Sequence, residues 1–199
     1  MQPHNMILEG LRKQTKPYHD KLETGLGLFN RPLNMEDYCL LLKQMYGLYA
    51  PFEELLYRVA LSEKVDFDFR ARRKIPLLMQ DLLACGLTIS ELDAVPVCSD
   101  LPPFAYGSHV FGCAYVMEGA TLGGQVILKT LGPSLGITAT RKGSFFNSYG
   151  SQVGAQWRLF CQALVSYTDS TERYKELTYA ACTTFLTFCQ WLTPPGGEL

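Results

Sequence analysis

The residues of this chain with chemistry to offer are few. It has three histidines, His4, His19 and His109. Arg12 and Lys16 lie seven and three residues before His19, and Glu23 four after it. At 100° per residue these four share about 60° of a helix surface. A histidine so placed can offer an imidazole nitrogen to a buried ligand while the cations stay near solvent. Glu23, one turn on, can stand close enough to govern the hydrogen bond of the ring. The same spacing also suits an exposed amphipathic helix laced with i,i+4 charge pairs, and Pro17 removes one helical hydrogen bond just before His19. A second feature is Gly119-Ala-Thr-Leu-Gly-Gly124 within an otherwise helical stretch. Each glycine costs a helix roughly 1 kcal/mol relative to alanine, so either the helix breaks here or its bare backbone comes close to something. That can be a neighbouring helix or a flat ligand. His109 precedes Gly119 by ten residues, roughly 15 Å along a helix, too far to meet the same metal opposite the glycines, and reads as a surface or helix-start residue. The seven cysteines are scattered without a C-x-x-C pair, which argues against a zinc knuckle or a disulfide scaffold and for small core residues.

The elements that must position these groups are helical. Leu8, Leu11, Thr15, Tyr18 and Leu22 fall on one side of a first helix. Asn34 followed by Glu36 and Asp37 reads as the start of a second, with apolar residues from Tyr38 to Val59 at spacings of three and four and a bend at Pro51. A basic segment, Arg70 to Lys74, leads into a helix through Leu83 that Gly86 stops. Residues 87–103 read as a loop with one helical turn at Ser90 to Ala94, and Phe104 to Leu131 as a long helix ended by Gly132-Pro133 and followed by a loop over 133–142. Ser144 to Thr168 and Ser170 to Leu192 read as the last two helices, and 194–199 as a frayed tail. The expected fold is all-α, a single domain over residues 1–199 with about seven helices. With 47% apolar and 19% charged residues the chain is not disordered, and a net charge of −1 supplies no electrostatic case for nucleic acid. No apolar run approaches the ~20 residues of a membrane span, and no signal peptide is evident at Met1 to Leu11. The expectation is a reduced, cytoplasmic protein with no membrane partner.

Three segments carry a resemblance. Leu11-Arg-Lys-Gln-Thr-Lys-Pro-Tyr-His-Asp-Lys-Leu-Glu23 resembles the proximal helix of haem oxygenases, and Ala114-Tyr-Val-Met-Glu-Gly-Ala-Thr-Leu-Gly-Gly-Gln-Val-Ile127 their distal helix. Phe145-Phe-Asn-Ser-Tyr-Gly150, followed by Trp157-Arg158, is similar to the bacterial branch associated with phytochromes. The resemblance implies an all-α fold with haem between two helices, His19 as the iron ligand and Glu23 as its neighbour. It further implies that Gly119, Gly123 and Gly124 bring bare backbone onto the porphyrin and leave room for O2 and water. Arg12, Lys16 and Arg158 would meet the propionates, and Phe185 would pack on the macrocycle. The better-known members carry an aspartate where this chain has Ala120, so proton delivery would have to use backbone carbonyls, Thr121 or a remote polar group. The implied reaction opens haem, substrate and cofactor at once, to biliverdin, CO and Fe2+. It needs an external electron donor, a ferredoxin or a flavoprotein reductase, and a bacteriophytochrome is a candidate acceptor of the product. Two other readings remain: a carrier or sensor of the same fold that binds haem without degrading it, and an all-α module for a different small organic ligand.

Overall fold

The computed structural model describes residues 3–193. Its helices are α1 (Pro3–Leu26), α2 (Met35–Ser62), α3 (Ile75–Ala84), α4 (Ile89–Asp93), α5 (Gly107–Leu135), the single turn α6 (Ser144–Asn147), α7 (Val153–Tyr167) and α8 (Thr171–Leu192), with 3-10 turns at Arg70–Arg72 and Gly150–Gln152. Among the described residues the only β-like pairings are two isolated bridges, from Thr138 to Arg141 and to Lys142. The expected frayed tail, 194–199, lies outside the described residues.

Local chemistry explains most boundaries. The Asn34 side chain accepts from the N–H groups of Glu36 and Asp37 at 2.8 and 2.9 Å, while the Asp37 carboxylate accepts from the Asn34 N–H at 3.0 Å. This reciprocal cap satisfies amides that α2 would otherwise leave open. Thr88 and Glu91 start α4 in the same way. Pro51 does not interrupt α2. It leaves the Gly47 carbonyl without its helical donor, and the Cys98 N–H supplies one from the following loop at 2.9 Å. Gly86, at φ 102°, follows the end of α3.

Two boundaries differ from the sequence expectation. Gly132-Pro133 does not end α5, which runs on to Leu135 and stops at Gly136 in the left-handed region, φ 66°. Gly132 instead accepts from the Ile137 N–H at 2.9 Å, so its carbonyl is already satisfied by the true cap. The expected single helix over Ser144 to Thr168 is broken. Ser148, at φ 45° and ψ −107°, turns the chain between α6 and α7. The fully buried Asp81 carboxylate accepts from the N–H groups of Ser144 and Phe145 at 3.0 and 2.8 Å, which holds α6 as a separate, capped turn.

The core runs along α2, α5 and α8, with Phe52, Phe111 and Leu177 wholly or almost wholly inaccessible. α5 crosses α8 closely because Gly112 sits over the backbone at Leu177 and the methyl of Ala180. α1 also packs along α8, where the bare Gly10 lies against the Tyr174 side chain. α1 and α5 thus lean on the same helix and scarcely on one another. The gap between them is where the chemistry lies.

Candidate functional site: the cleft between α1 and α5

The gap forms a cavity of about 690 Å³, within the roughly 300–1,000 Å³ typical of sites for small organic molecules. α1 contributes Arg12, Lys16, His19 and Glu23, together with Thr15, Asp20, Leu22 and Leu26. α5 contributes Tyr115, Val116, Gly119, Ala120 and Leu122, α7 contributes Trp157, and α8 contributes Phe185 and Phe188. One wall is therefore a helix carrying charge and an imidazole. The opposite wall is a helix face with little side chain at its centre. Aromatic rings close the floor.

His19 is the half-exposed centre of the α1 wall. Its Nδ1 lies 3.5 Å from Glu23 Oε2 and 3.9 Å from Asp20 Oδ1. Carboxylates on that side favour the tautomer protonated at Nδ1 and leave Nε2 with its lone pair as a metal donor. The Phe185 ring meets the imidazole edge-on, with centroids 5.9 Å apart, which restricts its rotation. One turn back, Lys16 pairs with Asp20 at 2.7 Å on the surface. That hydrogen bond is the main reason the Asp20 carboxyl is held below its ordinary range. An exposed pair of this kind contributes little to stability, so the ammonium is available to a carboxylate entering the cleft.

On the α5 wall a Cβ built at Gly119 would touch only the Trp157 ring, at 3.7–3.8 Å, and Trp157 in turn lies 5.6 Å from the Tyr115 ring. Ala120 is exposed there and brings no acid. Burial is the first reason the Tyr115 phenol is pushed up, against the opposing hydrogen bond of Thr15. The Thr121 hydroxyl is buried and donates to the Glu118 carbonyl at 2.6 Å, so it is committed to its own helix.

Three of the residues singled out from the sequence do not line the cavity. Gly124 faces away, where a Cβ would come within 2.6 Å of the Phe146 carbonyl oxygen, so its missing side chain serves the contact between α5 and α6. Gly123 is exposed and opens onto empty space, one turn beyond Gly119 on nearly the same side of the helix. Arg158 is exposed on α7, outside the lining. His109 opens α5, as expected, but is buried. Its Nδ1 accepts from the Ala105 N–H at 3.1 Å and its Nε2 meets Glu176 at 2.5 Å, so both nitrogens are committed.

Sequence reasoning did not single out Leu26 or Phe188; it placed Leu22 on the apolar side of α1 and quoted Tyr115, Val116, Leu122 and Trp157 only within motifs. A signal was present for some. Tyr115, Val116, Gly119 and Ala120 recur at i, i+1, i+4 and i+5, and Leu22 and Leu26 follow His19 at i+3 and i+7. Trp157 and Phe188 reach the cleft from other helices, and no local pattern reports that.

Comparison with known proteins places this architecture. The family model described as "Heme oxygenase" matches residues 5–194, nearly the whole chain. The chain belongs to the haem oxygenase family. Among curated relatives, a protein named "Heme oxygenase" from Xanthomonas campestris pv. campestris (strain 8004) is 34% identical over 101 residues, 50% of this chain and 55% of that one, so the match spans about half the length of each. Among solved structures, the haem oxygenase from Leptospira interrogans aligns with a TM-score of 0.77 at 18% identity, covering 97% of this chain and 99% of that one. The NO- and CO-bound haem oxygenase from Neisseria meningitidis aligns with a TM-score of 0.72 at 18% identity, covering 97% and 98%. At that identity the two structures show a shared haem oxygenase fold. The cleft of this chain also suits the family's ligand on its own chemistry: an imidazole with a free nitrogen, apolar and aromatic walls for a macrocycle, and cations for two carboxylates.

Proposed function

We propose that the chain is a haem oxygenase that binds haem between α1 and α5, with His19 as the iron ligand, and opens the ring with O2 and electrons to biliverdin, CO and Fe2+. The observation that carries this reading is that His19 and the bare backbone of Gly119-Ala120 line one cavity, each on its own wall. When bound, haem supplies both the iron that activates O2 and the ring that is cut. The protein's own residues do the rest. Glu23 and Asp20 hold the imidazole proton at Nδ1, so Nε2 faces the metal as a neutral donor. Arg12 and Lys16 lie toward the N-terminus of α1 from His19 and would hold the propionates of the ring. Leu22 and Leu26 lie on the opposite side of His19 and receive its apolar edge. On the α5 wall Gly119 would leave room beside the iron, and Ala120 would add only a methyl group. Phe185 and Trp157 exclude water from the floor. Gly123 enters this proposal only as bare helix surface beside Gly119; Gly124 faces α6, and Arg158, exposed on α7 outside the lining, is a second-line candidate for a propionate. The external electron donor, a ferredoxin or flavoprotein reductase, and a bacteriophytochrome as acceptor of biliverdin belong to the same proposal.

The test is a haem titration followed by reductant and O2. Loss of the Soret band with a rise in the red absorption of biliverdin is expected. The His19→Ala variant should lose the spectrum of a histidine-ligated ferric haem, and a spectrum unchanged from wild type would refute the assignment. One observation favours a second reading, a carrier or sensor that keeps its haem. Ala120 has no acid to offer, and the neighbouring Thr121 hydroxyl is tied to Glu118. A Soret band that survives reductant and O2 would select that reading.

A further inference from the structure

Behind the cleft, on the far side of α5, the stretch from Phe146 in α6 to Tyr149 grips the same part of the helix at three points. Tyr149 donates its hydroxyl hydrogen bond to the Glu118 carboxylate, at 2.9 and 3.0 Å from the two oxygens. The Phe146 carbonyl lies against the bare Gly124. The Gln125 side-chain amide donates to the Asn147 carbonyl at 2.6 Å. Glu118 is also held by Arg72 at 2.5 Å and by Lys74 at 2.9 Å, and all three side chains are nine-tenths or more buried. The gripping segment carries a cost. Ser148 is one of few non-glycine residues with positive φ, and its buried hydroxyl has no hydrogen-bond partner. A chain keeps such a conformation only where its surroundings over-determine it.

The contacts at Glu118, Gly124 and Gln125 bracket Gly119, Ala120 and Gly123. They act on the back of the helix whose front is the cleft wall. Buried ion pairs add little net stability compared with apolar packing, but they fix one arrangement against its neighbours. A helix with three glycines in six residues has few side chains of its own to define its rotation.

We propose that residues 146–149 form a clasp that sets the rotation and height of α5 over the cleft, with Glu118 and Gln125 as its positioning residues. The clasp bears on whatever occupies the cleft. Its link to haem rests on the proposed function; its hold on α5 does not.

The test uses Tyr149→Phe combined with Gln125→Ala. This pair removes two of the three contacts and leaves Glu118 neutralised by Arg72 and by Lys74, which loses its 2.8 Å bond to the Tyr149 hydroxyl but keeps the one to Glu118, so the fold is retained. Leu192→Ala, in the core at the far end of α8, serves as a control destabilised elsewhere. In the ligand-free protein, amide exchange over residues 117–126 should quicken by about tenfold or more in the double variant, with α8 within about twofold of wild type. Unchanged exchange over 117–126, or a rise shared equally with α8 as in the control, would overturn the clasp. A haem titration gives the second readout. The double variant should retain the histidine-ligated ferric spectrum, bind haem several-fold more weakly and show a displaced acid–alkaline transition of the ferric complex. If the wild type gives no Soret band, the haem assignment falls and the exchange result still decides the clasp.

Discussion

At the residue scale, the glycines of α5 divide by what stands opposite each one. A methyl group at Gly119 would meet the Trp157 ring at an ordinary 3.7 Å, whereas one at Gly124 would be forced to 2.6 Å from a backbone oxygen. Gly119→Ala should therefore raise Tm, since alanine gains up to about 1 kcal/mol over glycine inside a helix. Gly124→Ala should lower stability by about 1–3 kcal/mol, because backbone rather than a movable side chain must yield. Thermal melts of the two variants check both signs. Gly119→Leu should retain the fold and abolish haem binding by filling the cleft, which a Soret titration reads directly. The sequence could not sort these glycines, because they share one composition and one helix and differ only in tertiary neighbours. The α1 stripe was easier to read. Arg12, Lys16, His19 and Glu23 depend on helical spacing alone, and the fold turns that whole stripe toward one cavity.

Elements begin and end here on small polar networks that set their response to acid. Asp37 ionises at about 2 in the fold against an ordinary 3.8, first because Arg31 bonds its carboxylate and next because the Asn34 N–H does. The fold therefore prefers the charged form. The stability this contributes is complete above about pH 4 and is lost as pH falls toward 2. Asp37→Asn should flatten that part of the acid-unfolding profile, followed by circular dichroism, by lowering stability near neutral pH, where the contribution is complete, while leaving stability near pH 2 little changed. Asp81 caps an element from inside the core. Its fully buried carboxylate holds the first amides of α6, so Asp81→Ala should cost about 1–3 kcal/mol in denaturant unfolding by orphaning two N–H groups. The N-cap at Asn34 was plain from its local motif. The break at Ser148 was not, because the amphipathic pattern continues through it and the decisive partner, Asp81, lies more than sixty residues away in sequence. Pro133 misled for a related reason: a proline marks a lost donor, and only the three-dimensional setting shows whether the helix survives the loss.

For the molecule as a whole, the helix order and the all-α class followed from periodicity, while the cleft arose from an absence that periodicity cannot encode. α8 supports both α1 and α5, and those two helices meet hardly at all. Among the described residues no helix is long and apolar enough to cross a membrane, and all seven cysteines are free. Adding a thiol reductant should therefore leave Tm unmoved, a direct contrast with disulfide-stapled domains.

The gap between α1 and α5 also makes the occupant a structural part. A rigid plate wedged there supplies the joint that the polypeptide leaves out, so Tm should climb with the logarithm of its free concentration once the site is saturated. Cutting that plate into a pliable ribbon would remove the brace from inside, and the act of catalysis would then loosen the enzyme's own grip on what it has made.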